Sequence, residues 1–126
     1  IEKKNDNVDL VIWEENNPLG VISLMLNKDD GKAEIGLWIT LEEQGKGFGT
    51  EASRLMIDYG FRELRLHRIY ARIYDGNEAS KKIWEKLGFK YEGTLRDAAF
   101  RGGVYIDIHM YGLLEDEYSE KKRLER

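Results

Sequence analysis

Residues 44–50 read Gln-Gly-Lys-Gly-Phe-Gly-Thr, with glycine at every second position. The hydrophobic pattern changes period across this stretch, from the alternation of a strand before it to the spacing of a helix after it. Three alternating glycines let the backbone turn tightly and approach a ligand with no Cβ in the way. The helix that follows directs its unpaired N–H groups and positive dipole end back at the loop. Such a nest suits a pyrophosphate. Lys46 adds a positive charge and Thr50 a hydroxyl. An ordinary glycine-rich connection has the same composition, so the loop alone leaves both readings open. Two other phosphate motifs fail. A P-loop needs Gly-Lys followed by Ser or Thr, and here Gly47 follows Lys46. A dinucleotide fold needs G-x-G-x-x-G after its first strand, whereas this loop is G-x-G-x-G and three strands precede it.

Those strands are Val8–Trp13, Gly20–Leu26 and Ala33–Thr40. The cluster Asn16-Asn17-Pro18-Leu19-Gly20 predicts the first turn, and Gly31 in Asp-Asp-Gly-Lys predicts a hairpin between the second and third strands. Two short connections in succession make an antiparallel meander. Phe48, Ala52, Leu55, Met56 and Tyr59 then mark the apolar face of a helix from about Gly47 to Leu64. Arg68–Tyr74 alternates as a strand. Asn77 caps a second helix from Glu78 to Leu87, with Ala79, Ile83, Trp84 and Leu87 on one face and Gly88 as its terminator. Phe89–Leu95 and Val104–Leu114 are two more strands joined around Gly102-Gly103. Glu115–Arg126 is a charged tail, helical or frayed. The predicted order is β-β-β-α-β-α-β-β in a mixed α/β sheet fold, with residues 1–114 as the domain and 115–126 as the tail.

A chain of 126 residues suits one domain, which buries roughly two-thirds of its unfolded surface and needs no covalent staple. It has no cysteine, which excludes disulfides, thiolate catalysis and cysteine-bound metals. Two histidines, His67 and His109, are too few for a histidine-rich metal site. Charged residues make up 35% and the net charge is −4, without the basic stripe of a nucleic-acid binder. No apolar run approaches the ~18 residues of a membrane span and no signal-peptide pattern is visible. The expected protein is cytoplasmic, with no membrane or nucleic-acid partner and no metal.

Gln44, Gly47 and Gly49, read as Gln-x-x-Gly-x-Gly, resemble the pyrophosphate motif of the GNAT acetyltransferases. Asn77–Phe89, an Asn ahead of a helix ending in Glu-Lys-x-Gly-Phe, is similar to that family's second cofactor block. Glu92–Arg96 and Gly103–Asp107 are similar to the RimJ/RimL-like branch, which acts on ribosomal-protein N-termini. The resemblance covers about Gly20 to Leu114. It implies acetyl-CoA as cosubstrate, with its pantetheine arm in a gap between strand Ile35–Ile39 and a splayed Arg68–Tyr74. Backbone groups at Leu37, Trp38 and Ile39 would bond the arm. Gln44, Gly45, Lys46, Gly47, Phe48, Gly49 and Thr50 would hold the pyrophosphate, and Asn77 would bond the arm from the other side. Catalysis would then be largely positioning, with a backbone N–H stabilising the developing oxyanion.

The resemblance also exposes departures. Many relatives protonate the departing thiolate with a Tyr seven residues after the Asn; here that position is Trp84, whose indole N–H is no useful acid. The ribosomal-protein branch uses a hydroxyl three residues after the Asn, which is Ser80, so Ser80 is the expected thiolate partner, although it also reads as an ordinary first-turn serine. That branch's carboxylate base falls on Ala99. Glu34 substitutes by type, on one strand face with Gly36 and Trp38; a solvated strand carboxylate is the competing reading. Asp107 and His109 share a strand face and suit a water relay, or Asp107 only holds structure. His67 reads as a helix-end cation or cap. Trp13, Trp38 and the tyrosines read as core.

The expected reaction moves acetyl from acetyl-CoA to a primary amine, with a protein N-terminal α-amine first and a polyamine or small-molecule amine second. A non-catalytic acyl-CoA-binding regulatory module, favoured by Trp84 and Ala99, stays open. A ribosome-docking or RNA-binding role rests only on Lys121-Lys122-Arg123. Family members begin with a strand and two helices that wall the acceptor site, and none precede Ile1, so an N-terminal part is expected to be missing. A homodimer is also expected as a possibility of the family.

Overall fold

The computed structural model describes residues 7–40 and 47–125. Its elements run β1 (Asn7–Glu14), β2 (Asn17–Asn27), β3 (Lys32–Ile39), α1 (Phe48–Arg62), β4 (Arg68–Tyr74), α2 (Glu78–Lys86), β5 (Lys90–Arg101), β6 (Val104–Leu114) and α3 (Glu115–Leu124). This is the predicted mixed α/β order, with the charged tail folded as a helix. The chain divides into two compact units, Ile1–Ile69 and Tyr70–Arg126.

In the first unit β1, β2 and β3 form the antiparallel meander. Gly31 takes φ 64 at the second turn, as the sequence predicts. The first turn is tighter than the Asn-Asn-Pro cluster implies. Glu14 pairs with Asn17, so the loop is Glu15-Asn16, with Glu15 at φ 56. Pro18 therefore lies inside β2. It is tolerated because it faces Trp13 beside a register shift in β1, where a missing N–H costs little.

Strand alternation puts Ile22, Leu24 and Leu26 of β2 and Ala33 and Ile35 of β3 in the core. Helix α1 buries Ser53, Met56, Ile57, Gly60 and Phe61. The predicted helix face is thus rotated: Leu55 is 66% exposed and Tyr59 40%. Two small residues explain it. Ser53 and Gly60 let the helix approach closely, and a Cβ on Gly60 would meet the Leu24, Leu66 and Ile69 methyls at 2.9–3.3 Å. A search for bulky apolar residues passes over such a face. The tryptophan reading is corrected for the same unit: Trp13 is 59% exposed and Trp38 64%. Trp13 stands on β1, which is exposed along most of its length, and Trp38 is on the face of β3 opposite Ala33 and Ile35. His67 does not cap α1 by its ring; its backbone N–H donates to Gly31 O at 2.7 Å, tying the chain after α1 to the β2–β3 turn.

In the second unit the strands stand in the order β4-β6-β5. Helix α2 buries Trp84, whose ring packs on Phe89 at 5.3 Å. Gly88, at φ 97, ends the helix in the left-handed conformation that glycine adopts without strain. β5 extends past the predicted Leu95 to Arg101 because two register shifts interrupt its alternation, between Tyr91 and Gly93 and between Leu95 and Ala99. Helix α3 is fixed by Glu117, which accepts from the Leu114 N–H at 2.9 Å and pairs with Lys90 at 2.6 Å.

Candidate functional site

The start of α1 has the form the glycine loop predicts, as far as the described residues reach. Gly47 is the N-cap, at φ 89, and a Cβ there would meet nothing within 4 Å. The first helical bond runs from Glu51 N–H to Gly47 O at 3.0 Å. The amides of Phe48, Gly49 and Thr50 therefore precede the ladder and are the unpaired donors of a 15-residue helix. This donor set fits a phosphate group of coenzyme A. Gln44, Gly45 and Lys46 lie outside the described residues. Leu37, Trp38 and Ile39 stand at the C-terminal end of β3, paired with Ile22, Val21 and Gly20 of β2. Glu34 is half-buried on the outward face of β3, opposite Met25.

The second unit holds a cleft of about 340 Å³. Its lining begins with Ile73 and Tyr74 at the end of β4, followed by Asp75, Gly76 and Asn77 at the entry to α2. Glu78 and Lys81 add the first turns of α2, Tyr91 comes from β5, and His109 and Tyr111 come from β6. Gly76 at φ 94 makes the sharp bend between β4 and α2. Asn77 Oδ1 then accepts the Ser80 N–H at 3.2 Å, the predicted cap. Its side-chain amide nitrogen is left for another partner. Ser80 is half-buried one turn into α2 and is not among the residues lining the cleft.

Four side chains in the cleft region form a continuous hydrogen-bonded row. Tyr91 Oη lies 2.6 Å from Thr94 Oγ1, Thr94 Oγ1 lies 2.8 Å from His109 Nδ1, and His109 Nε2 lies 2.7 Å from Asp75 Oδ1. The Tyr91 and Tyr111 rings meet edge to face at 5.6 Å. Burial, and then the Glu85 carboxylate beside it, holds the Tyr111 proton above the usual phenol range. Tyr111 is thus a neutral wall of the cleft. The Arg101 guanidinium stacks 4.6 Å from the Tyr74 ring centroid and donates to Tyr74 Oη at 2.9 Å.

Sequence reasoning singled out His109 and Asp107 together, and the structure separates them. Asp107 Oδ1 accepts the Asp97 N–H at 2.8 Å, where Asp97 takes φ 49 within the second irregularity of β5. Asp107 thus holds structure, one of its two predicted roles. The carboxylate beside His109 is Asp75, 34 positions away. Tyr91 and Thr94 were not singled out, because residues three apart on a regular strand face opposite ways. The irregularity between Tyr91 and Gly93, with Gly93 at φ 139, adds one residue and brings both hydroxyls to the same side. Gly93 was its only trace in the sequence. Ala99, opposite Ile106, offers no titratable group. Trp84 is 3% exposed and serves the core. Among the described residues no group of three or more His, Cys, Asp or Glu is placed to hold a metal, and no helix is long and apolar enough to cross a membrane.

Comparison with known proteins agrees with this geometry. The family model of the acetyltransferase (GNAT) domain matches residues 1–90. The chain is 36% identical over 120 residues to an uncharacterized N-acetyltransferase, p20, of Bacillus licheniformis, covering 94% of this chain and 67% of that protein. It is 42% identical over 104 residues to the putative ribosomal N-acetyltransferase YdaF of Bacillus subtilis, covering 82% of this chain and 57% of that one. A solved spermidine N-acetyltransferase of Vibrio cholerae superposes with a TM-score of 0.86 at 30% identity, covering 92% of this chain and 70% of that one. The chain thus spans between about half and two-thirds of the length of these sequence relatives. With the glycine-opened helix, the capped second helix and the matching family model, this chain belongs to the GNAT acetyltransferase family.

Proposed function

We propose that the protein moves an acetyl group from acetyl-CoA to a primary amine, and that its first acceptor is a protein N-terminal α-amine. The observation that carries the reaction is the start of α1, where Gly47 leaves open space and three amides precede the helical ladder. Acetyl-CoA supplies an acetyl group activated as a thioester. The chain's own work is to bind, orient and handle protons. The amides of Phe48, Gly49 and Thr50 bind phosphate, with Gln44, Gly45 and Lys46 proposed to complete that loop. The backbone of Leu37, Trp38 and Ile39 is proposed to bond the pantetheine arm, and so is the Asn77 amide nitrogen. Ser80 is proposed to give a hydroxyl to the departing sulfur; it makes no side-chain hydrogen bond among the described residues. Glu34 is proposed as the catalytic carboxylate that substitutes for the base absent at Ala99.

The likeness to the putative ribosomal N-acetyltransferase supports this first acceptor. A polyamine is the second reading, supported by the likeness to the spermidine N-acetyltransferase structure. Thiol release from acetyl-CoA, measured with peptides bearing a free N-terminus, with spermidine and with small amines, separates them. The expected result is a kcat/KM for at least one N-terminal peptide ten or more times that for spermidine. The reverse ranking replaces the first acceptor with the second. Tight acetyl-CoA binding with no turnover on any amine would make the protein a binding module.

A further inference from the structure

We infer that Tyr91, Thr94, His109 and Asp75 form a proton wire that takes the proton from the acceptor's ammonium group. The inference rests on the acetyl-transfer reading above and assigns the acceptor's proton to this row in place of Glu34.

The direction of the wire follows from hydrogen-bond chemistry. Asp75 is a carboxylate and only accepts, so His109 Nε2 carries the hydrogen in that 2.7 Å contact. In the neutral imidazole Nδ1 is then the lone pair, and it accepts from the Thr94 hydroxyl at 2.8 Å. Thr94 oxygen in turn accepts from the Tyr91 hydroxyl at 2.6 Å. Every donor has one acceptor, and the row ends in a phenol whose residue is 58% exposed and lines the cleft. When a proton arrives at Tyr91 oxygen, the Tyr91 proton passes to Thr94 and the Thr94 proton to Nδ1. The imidazolium formed keeps its Nε2–H on the Asp75 carboxylate, which offsets its charge. Both protonation states are fully hydrogen-bonded, and only two hydroxyls reorient between them.

The proton balance closes. The ammonium gives one proton to the wire and becomes a neutral amine. Its lone pair forms the C–N bond as the C–S bond breaks. The second nitrogen proton goes to the departing sulfur, and the imidazolium releases the first to water. The charged and titratable groups around His109 are Tyr74 on β4, Asp75 before α2, Glu78 and Lys81 on α2, Tyr91 on β5, and Tyr111 and Asp107 on β6, the last committed to the Asp97 amide. An α-ammonium, which titrates near ~8, gives up its proton roughly 250-fold more readily than an alkylammonium near ~10.4. The wire thus favours the N-terminal acceptor over a polyamine.

The test compares kcat, KM and acetyl-CoA affinity from pH 6 to 9.5 for the wild type and for Thr94→Val, Thr94→Ser, Tyr91→Phe, His109→Gln and Glu34→Gln, using an N-terminal peptide. Thr94→Val keeps the shape of the side chain and cuts the wire, so it serves even where His109→Gln does not fold. The expected result is a kcat loss of about 100-fold at neutral pH for Thr94→Val, Tyr91→Phe and His109→Gln. The loss closes as pH rises and neutral amine becomes abundant. Acetyl-CoA affinity is unchanged, and Thr94→Ser restores the rate. Losses under threefold, losses with an unaltered pH profile, or a base-like profile change in Glu34→Gln alone would each overturn the wire while acetyl transfer stands. A wild type that binds acetyl-CoA and acetylates no amine defeats the reaction and the wire together.

Discussion

Gly20→Ala perturbs the point where β2 and β3 approach most closely for a side chain. Gly20 pairs with Ile39. A Cβ at Gly20 would run into the Trp38 carbonyl oxygen, with Ile39 Cα at 2.9 Å and Trp38 C at 3.1 Å. All three atoms are backbone, so no side chain can swing aside, and real Cβ atoms essentially never approach below 3.0 Å. The strands must part locally, at an overpacking cost of about 1–3 kcal/mol, plus about 1 kcal/mol for each ladder bond lost. The stiffer unfolded chain returns about 0.4–1 kcal/mol. The net destabilisation is about 2–3 kcal/mol. At roughly 2.1 cal/mol/K per residue, a 126-residue chain has an unfolding entropy near ~0.26 kcal/mol/K, so Tm falls by roughly 10 °C. Gly36→Ala is the control on the same strand pair. Its Cβ would meet only Met25 Cε at 3.9 Å, an ordinary contact, and it should leave Tm unchanged or raise it. Scanning calorimetry of both variants decides. Equal melting temperatures for the two would refute the steric argument. The same displacement moves Trp38 and Ile39, so Gly20→Ala should also weaken acetyl-CoA binding if the end of β3 holds the pantetheine arm.

Asn77 joins a structural duty to a proposed binding one, and two substitutions separate them. Asn77→Ala removes the cap on Ser80 N–H and should cost about 1 kcal/mol of stability. Asn77→Asp keeps the cap and loses the side-chain N–H, so it should hold Tm while weakening acetyl-CoA binding about tenfold by calorimetry; unchanged affinity would remove Asn77 from the binding site. Glu117 gives a pH dependence. The hydrogen bond from Lys90 comes first, followed against burial by the Leu114 N–H, and together they hold its carboxyl below the usual range. A lowered folded pKa means that its stabilisation is complete above the ordinary unfolded value and is lost as pH falls through the folded one. Denaturation of Glu117→Gln should therefore show a stability deficit at neutral pH that shrinks with acidification below about 4.5; a gap that is constant from pH 7 to pH 3 would contradict the pairing.

What the sequence determined was local. Alternation along residues 20–26 and 33–40, Gly31 in its turn, the Asn77 cap and the Gly88 terminator each depend on neighbours a few positions away, and each stands as read. The family followed from two such local blocks, because a helix entrance opened by glycine and a capped helix start are themselves short-range devices. Tertiary structure decided the rest. It chose the face of α1, since small Ser53 and Gly60 permit an approach that hydrophobicity does not signal. It sent Trp13 and Trp38 outward. It also assembled Tyr91, Thr94, His109 and Asp75 into one row, because a one-residue irregularity at Gly93 turned two hydroxyls to one side and the Asp75 N–H bond to Asp107 O on β6, at 3.0 Å, set a carboxylate beside His109. Periodicity assigns faces along one element, and only the packed chain decides which residues from different elements meet.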